Sequence, residues 1–163
     1  MLPRSGQERT MKVLVAVDGS PSSTAAVEAV AARTWAEGTV VEVLTVIHTG
    51  VPFILDPTYA IIFVHIDHLE KARQQAPEIA ERAAAMLRRP NLTVTTQILE
   101  GSPKTEILEE AERWGADLIM LGTHGHGAAA RFLLGSVAHS VVLHAPCSVE
   151  VVRVRRDAAV ATP

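Results

Sequence analysis

One cysteine, no long apolar run and no strong charge bias exclude several classes of protein at once. Cys147 is the single cysteine, so no disulfide can form within the chain, and a reducing cytoplasm fits that usage. No apolar stretch approaches the roughly 20 residues that a membrane-spanning helix needs. The opening MLPRSGQERT lacks the apolar core of a secretory signal. Residues 1–10 are therefore expected as a disordered leader, with Met11 an alternative start, and the Ala- and Thr-rich stretch 155–163 as a flexible tail. A net charge of −3 and a pI near 6.1 advertise no polyanion-binding face, which argues against nucleic acid as the main partner.

What is present describes a folded chain. Apolar residues make up 48% of the 163 positions against 20% charged, enough for one sizeable core, so residues 11–154 are expected as a single domain. Strand and helix patterns alternate along it. Lys12 to Val17 is a short, Val-rich, nearly continuous apolar run, as expected of a strand buried on both faces. Ser20 suits a helix N-cap and Pro21 the first helical position, and Ala25, Ala26, Ala29, Val30 and Ala32 mark a helix face that Gly38 should end. Thr39 to Ile47 and Leu92 to Leu99 read as further strands. Gly101-Ser102-Pro103 repeats the earlier Gly-Ser-Pro opening, and Ile107, Leu108, Ala111 and Trp114 form the next helix face, stopped at Gly115. Ala116 to Leu121 is the fourth strand, Ser136 to about His144 a helix, and Ser148 to Val154 the fifth strand. The β-α order predicts a parallel sheet with right-handed crossovers and helices on both faces.

Two segments resist this pattern. His48 to Ile66 is irregular, apolar and contains two prolines; a loop of that length is usually functional, as a lid, a partner surface or a folded-over core segment. Asp67 to Leu87 has helical spacing, but Pro77 predicts a kink there or a split into two helices.

The most informative stretch is GTHGHGAAARFLLGS, residues 122 to 136, leaving the end of the fourth strand. Glycine tolerates positive φ and lets backbone amides approach a ligand closely, and a helix N-terminus offers unpaired donors with about half a positive charge. Together they make a cradle for an anion, nucleotide phosphates above all; the plain alternative is a flexible surface loop. A Walker A loop is excluded because Ala128 and Ala129 follow Gly127 where Lys and Ser or Thr belong. The dinucleotide fingerprint is excluded because the order here is G-x-x-G-x-G after a late strand.

In open α/β sheets ligands lie beyond the carboxyl ends of the strands, at the switch in strand order. Asp18 ends the first strand, Val46-Ile47 the second, and Gly122 follows the fourth; all three line one crevice if the first and fourth strands are neighbours. Asp18 would accept from ribose hydroxyls or an adenine amine, or else cap its own turn before Gly19. Ser136 would offer hydroxyl and amide at a helix start. Arg131 is either a partner for a terminal phosphate or a solvated loop side chain. His124 and His126 stand two apart, which raises metal binding or nucleotidyl transfer. However, no nearby Cys or carboxylate completes a metal set, and the H-x-G-H transferase signature differs in order and belongs after the first strand. Cys147 reads as a packed thiol.

Asp18 after a Val-rich strand, Ala116-Asp117-Leu118-Ile119 before the loop, the spacing G-x2-G-x9-G-S over 122–136, Gly135-Ser136-Val137-Ala138 and His144-Ala145-Pro146-Cys147 together resemble the universal stress protein family, over residues 11 to 154. The resemblance implies a Rossmann-like open parallel five-stranded sheet of order 3-2-1-4-5 and a homodimer joined through the last strand, Ser148 to Val154. The full glycine spacing resembles the ATP-binding branch. It implies Asp18 and the backbone near Val46 at the adenosine end, and Gly122, Gly125, Gly135 and Ser136 around ribose and phosphates, with Thr123, His124 and Val137 beside them. On this reading the ligand is ATP or another adenine nucleotide, with Mg2+ recruited mainly by the phosphates. The chain is then a cytoplasmic regulatory module that has an unidentified protein partner and no catalytic residues, because no base is assigned to orient water. The competing expectations are a slow ATPase or nucleotidyl transferase using His124 or His126, and a nucleotide-free interaction protein working through residues 50–66.

Overall fold

The computed structural model describes residues 10–50, 59–125 and 134–154. Five parallel strands, β1 (Lys12–Ala16), β2 (Thr39–His48), β3 (Leu92–Gly101), β4 (Leu118–Gly122) and β5 (Ser148–Val152), form one sheet in the order β3-β2-β1-β4-β5. This is the expected Rossmann-like order. The connections are α1 (Pro21–Ala32), α2 (Tyr59–Leu87), α3 (Pro103–Trp114) and α4 (Ser136–His144).

Alternation along the strands sorts the core into two layers. Val13, Val15, Val41, Val43, Leu118 and Met120 pack with Val27 and Val30 of α1 and Ala83, Ala84 and Leu87 of α2. Leu14, Leu44, Ile119 and Leu121 face the other way, onto Ile107 and Ala111 of α3 and Ala138 and Val141 of α4. The central strands carry apolar residues on both faces because helices cover both.

Helix α1 starts where expected: Ser20 accepts from Ser23 N–H at 3.2 Å, and Pro21 holds the first position. It stops at Ala32, before Gly38, for reasons that depend on tertiary contacts. The Trp35 indole donates to Val30 O at 2.9 Å, and the Arg89 guanidinium donates to Ala31 O and Arg33 O, each at 2.8 Å. Arg89 from far along the chain and Trp35 from five residues on satisfy the terminal carbonyls in place of a glycine cap. Gly115 does close α3 from the left-handed region at φ 71°, and a Cβ there would meet nothing within 4 Å. Gly115→Ala should therefore cost about 1–2 kcal/mol from backbone conformation alone, read as a lower urea midpoint with an unchanged m-value; an unshifted midpoint would refute that reading.

Two expectations need correction. Residues 59–66 are not irregular but open the 29-residue α2, and that helix runs through Pro77 as one element, not as two. Proline removes one intrahelical bond, while Ala76, Ala80, Ala83, Ala84 and Leu87, all buried, anchor the helix from that point on. The part of the apolar segment between Val51 and Thr58 lies outside the described residues, as do His126, Arg131 and both chain ends.

Candidate nucleotide-binding crevice

The strands end unevenly, and the unevenness makes the site. Ala16, the last residue of β1, is in register with Leu44, yet β2 continues to His48 beside β3. Val17 N donates to Leu44 O at 2.8 Å, and beyond it β2 has no β1 partner. The resulting notch sits where β1 and β4 are neighbours while their connections leave in opposite directions, the switch point at which open α/β sheets bind ligands. It opens into a crevice of about 830 Å3, within the usual range for small-molecule sites.

All nine sequence-selected residues line it: Asp18, Val46, Gly122, Thr123, His124, Gly125, Gly135, Ser136 and Val137. The glycines serve close approach and not positive φ, since none of these three adopts it. A Cβ on Gly122 would lie 2.5 Å from the Ser22 carbonyl oxygen, so this glycine lets the first turn of α1 rest on β4. On Gly125 a Cβ would lie 2.7 Å from Asp18 Oδ2, and on Gly135 2.9 Å from Thr123 O. Gly135 N–H is not a free donor either, because it bonds to Thr123 O at 2.8 Å and pins the loop exit to the end of β4. The donors left at this wall are the amides of Ser136, Val137 and Ala138, which open α4 without intrahelical acceptors.

Asp18 does cap its turn: Oδ1 accepts from Ser20 N–H at 2.9 Å. The Ser20 hydroxyl donates in turn to His124 O at 3.5 Å, tying the glycine loop to the start of α1. Thr123 is buried, and its N–H bonds to Val152 O at 3.0 Å. Cys147 packs against the core with its thiol pushed up by burial and by the charge of Asp117, which keeps it protonated. Among the described residues no three His, Cys, Asp or Glu side chains gather as a metal site would require.

The sequence reading missed the wall opposite α4. Ala72, Ala76 and Ile79 of α2, and Ser102, Lys104 and Ile107 at the start of α3, line the same crevice. The repeated Gly-Ser-Pro was the available clue, since both copies stand at the carboxyl end of a strand and open a helix. Among the described lining residues Lys104 is the only lysine and Asp18 the only carboxylate.

An open, doubly wound α/β sheet with a glycine-walled crevice at its switch point and a helix N-terminus facing in places the chain in the Rossmann-like class. The family model described as "Universal stress protein family" matches residues 10–153, and the chain belongs to that family. It is 36% identical over 147 residues to a Staphylococcus haemolyticus protein assigned to the universal stress proteins, across 86% of this chain and 83% of the relative. Among solved structures, universal stress protein UspA from Lactobacillus plantarum is 26% identical with a TM-score of 0.62, covering 89% of this chain and 99% of that one. The universal stress protein from Archaeoglobus fulgidus, solved in complex with dAMP, shares the fold at 22% identity and a TM-score of 0.59, covering 87% and 97%. Among the described residues no helix is long and apolar enough to cross a membrane.

Proposed function

We propose that the chain is a nucleotide-controlled regulatory module that takes ATP in the switch-point crevice. The observation that carries this reading is the wall formed by Gly135 and the opening amides of α4, set across the notch from Asp18 and Val46. Main-chain amides and a helix dipole are suited to phosphate charge, and Gly125 and Gly135 let Asp18 and the end of β4 close up against that wall. The Archaeoglobus fulgidus protein of this fold was solved in complex with dAMP; the proposal for this chain rests on its own wall. ATP, when bound, supplies the charge that this wall neutralises, and Mg2+ would come mainly with the phosphates.

On this reading the module binds nucleotide without fast turnover. Asp18 is the only carboxylate among the described lining residues, and its Oδ1 already accepts from Ser20 N–H, which leaves His48 and His124 as the other candidate bases in the lining. Steady-state release of phosphate by purified protein checks this; rapid release lost in His124→Ala would favour an enzyme. Two copies joining through β5 complete the proposal. β5 is an edge strand, with its outer backbone groups available for pairing, and Val142, Leu143 and Val154 expose apolar surface.

Calorimetry with ATP and AMP tests the binding directly, and Asp18 supplies its sharpest variant. Asp18→Ala should weaken ATP by about 1–3 kcal/mol, or roughly 5- to 150-fold, if the carboxylate accepts a buried ligand hydrogen bond. Asp18→Asn keeps an acceptor for Ser20 N–H and separates turn capping from ligand contact. No heat from either nucleotide at millimolar concentration would overturn the proposal.

A further inference from the structure

Beneath α3, away from the crevice floor, two carboxyl groups face each other inside the protein. Glu42 projects from β2 and is 7% exposed; Glu110 lies on the inner face of α3 and is 2% exposed. Arg113 engages both oxygens of Glu110. Glu42 Oε1 has no hydrogen-bond partner. The charges that face Glu42 are Glu110 and Arg113 from α3 and Lys12 from β1. The strand neighbours in register with it, Leu14 and Thr95, are uncharged. The Lys12 ammonium is held elsewhere, donating to Trp114 O at 2.9 Å and lying 5.3 Å from the Trp114 ring centroid. Arg113 is thus the cation hydrogen-bonded to the pair, while Lys12 acts on Glu42 only from a distance. Ionising both would leave a negative charge with neither water nor a close counter-ion, which is among the costliest arrangements in a protein interior.

We propose that Glu42 and Glu110 share one proton and form a pH-sensitive latch that seats α3 on the sheet. With the proton in place, the Glu42 carboxyl donates to Glu110, and Arg113 balances the remaining charge. Releasing that proton to solvent sets two carboxylates against each other across the α3–β2 contact. Ser102, Lys104 and Ile107 at the start of this helix form one wall of the crevice, so the latch also sets how firmly that wall is held. The latch stands on the buried pair whether or not the crevice takes a nucleotide.

The direction of the pH dependence follows from the surroundings. Burial first, then the contact with Glu110 and its charge, push Glu42 from 4.5 up to about 7. Between those values the folded chain keeps a proton that the unfolded chain releases, so the stabilisation is complete at acid pH and is lost as pH rises through 7.

Two measurements on the whole protein decide the matter. Carbon-detected NMR of the glutamate carboxyls should show Glu42 titrating near neutrality. Hydrogen exchange of amides across α3, corrected for intrinsic exchange chemistry, should lose about tenfold protection per pH unit between about pH 5 and that midpoint and level off above it. In Glu42→Gln, whose neutral amide can donate to Glu110 as the protonated acid does, α3 protection should be flat from about pH 5 to 8.5. A Glu42 midpoint below 5.5 overturns the shared proton. A neutral midpoint combined with pH-independent α3 protection, or with the same pH dependence in Glu42→Gln, overturns the latch.

Discussion

Gly122→Ala destabilises the protein by about 3 kcal/mol or more, near the top of the range for overpacking a closely fitted site, and Gly122→Val does no better. The offending atom is the Cβ itself. It would lie 2.5 Å from the Ser22 carbonyl oxygen and 2.7 Å from Ser22 Cβ, both on the first turn of α1. Backbone cannot swing aside as a flexible side chain can, so either α1 lifts from β4 or β4 shifts in its ladder with β1 and β5. A loss of that size lowers the melting temperature by on the order of 10 °C in a domain of this length. Phosphate chemistry would have given the opposite pattern: a cradle glycine changed to alanine would lose ligand and keep its stability. Gly122→Ala with the parent's melting temperature would therefore return Gly122 to a direct role at the ligand.

At Gly135 the effect falls on binding. Gly135→Val should reduce ATP affinity by roughly 2–3 kcal/mol, the loss expected when charge-assisted hydrogen bonds are displaced, or about a hundredfold by calorimetry. Its Cβ would lie 2.9 Å from Thr123 O and 3.3 Å from His124 Cα, at the point where Gly135 N–H pins the loop to the end of β4. Pushing that contact apart moves the start of α4, and with it the amides of Ser136, Val137 and Ala138. His124 is half-buried and Leu134 beside Gly135 is exposed, so the fold should absorb the change with a smaller loss than at Gly122. A Gly135→Val protein that binds ATP like its parent, folded by hydrogen exchange in α4, would remove the proposed phosphate wall.

The same stretch shows why spacing and role are separate questions. Gly122, Gly125 and Gly135 stand out in the sequence because small residues at such intervals after an apolar run mark a loop that something approaches closely. What approaches was not legible. At Gly122 it is the turn of another helix, at Gly125 a carboxylate, and at Gly135 the end of the strand that the loop has just left. Asp18 gives a parallel case: its place at the end of β1 was readable, whereas its bond to Ser20 N–H depends on how the turn closes.

Element type and order were determined by the sequence alone, because burial on two faces demands continuous Val-rich runs and amphipathic helices between them, a local pattern that survives any detail of packing. Boundaries shifted wherever tertiary packing intervened. Arg89 and Trp35 end α1 well before Gly38, and the buried alanines of α2 carry it through Pro77 as one helix. Only the tertiary structure decided that α2 and α3 supply half of the crevice, and that Glu42 and Glu110, 68 positions apart, meet in the interior. Such pairings arise from the register of β2 against its neighbours and the seating of a helix above it. Those are long-range choices, and neither residue carries a trace of them in its own segment.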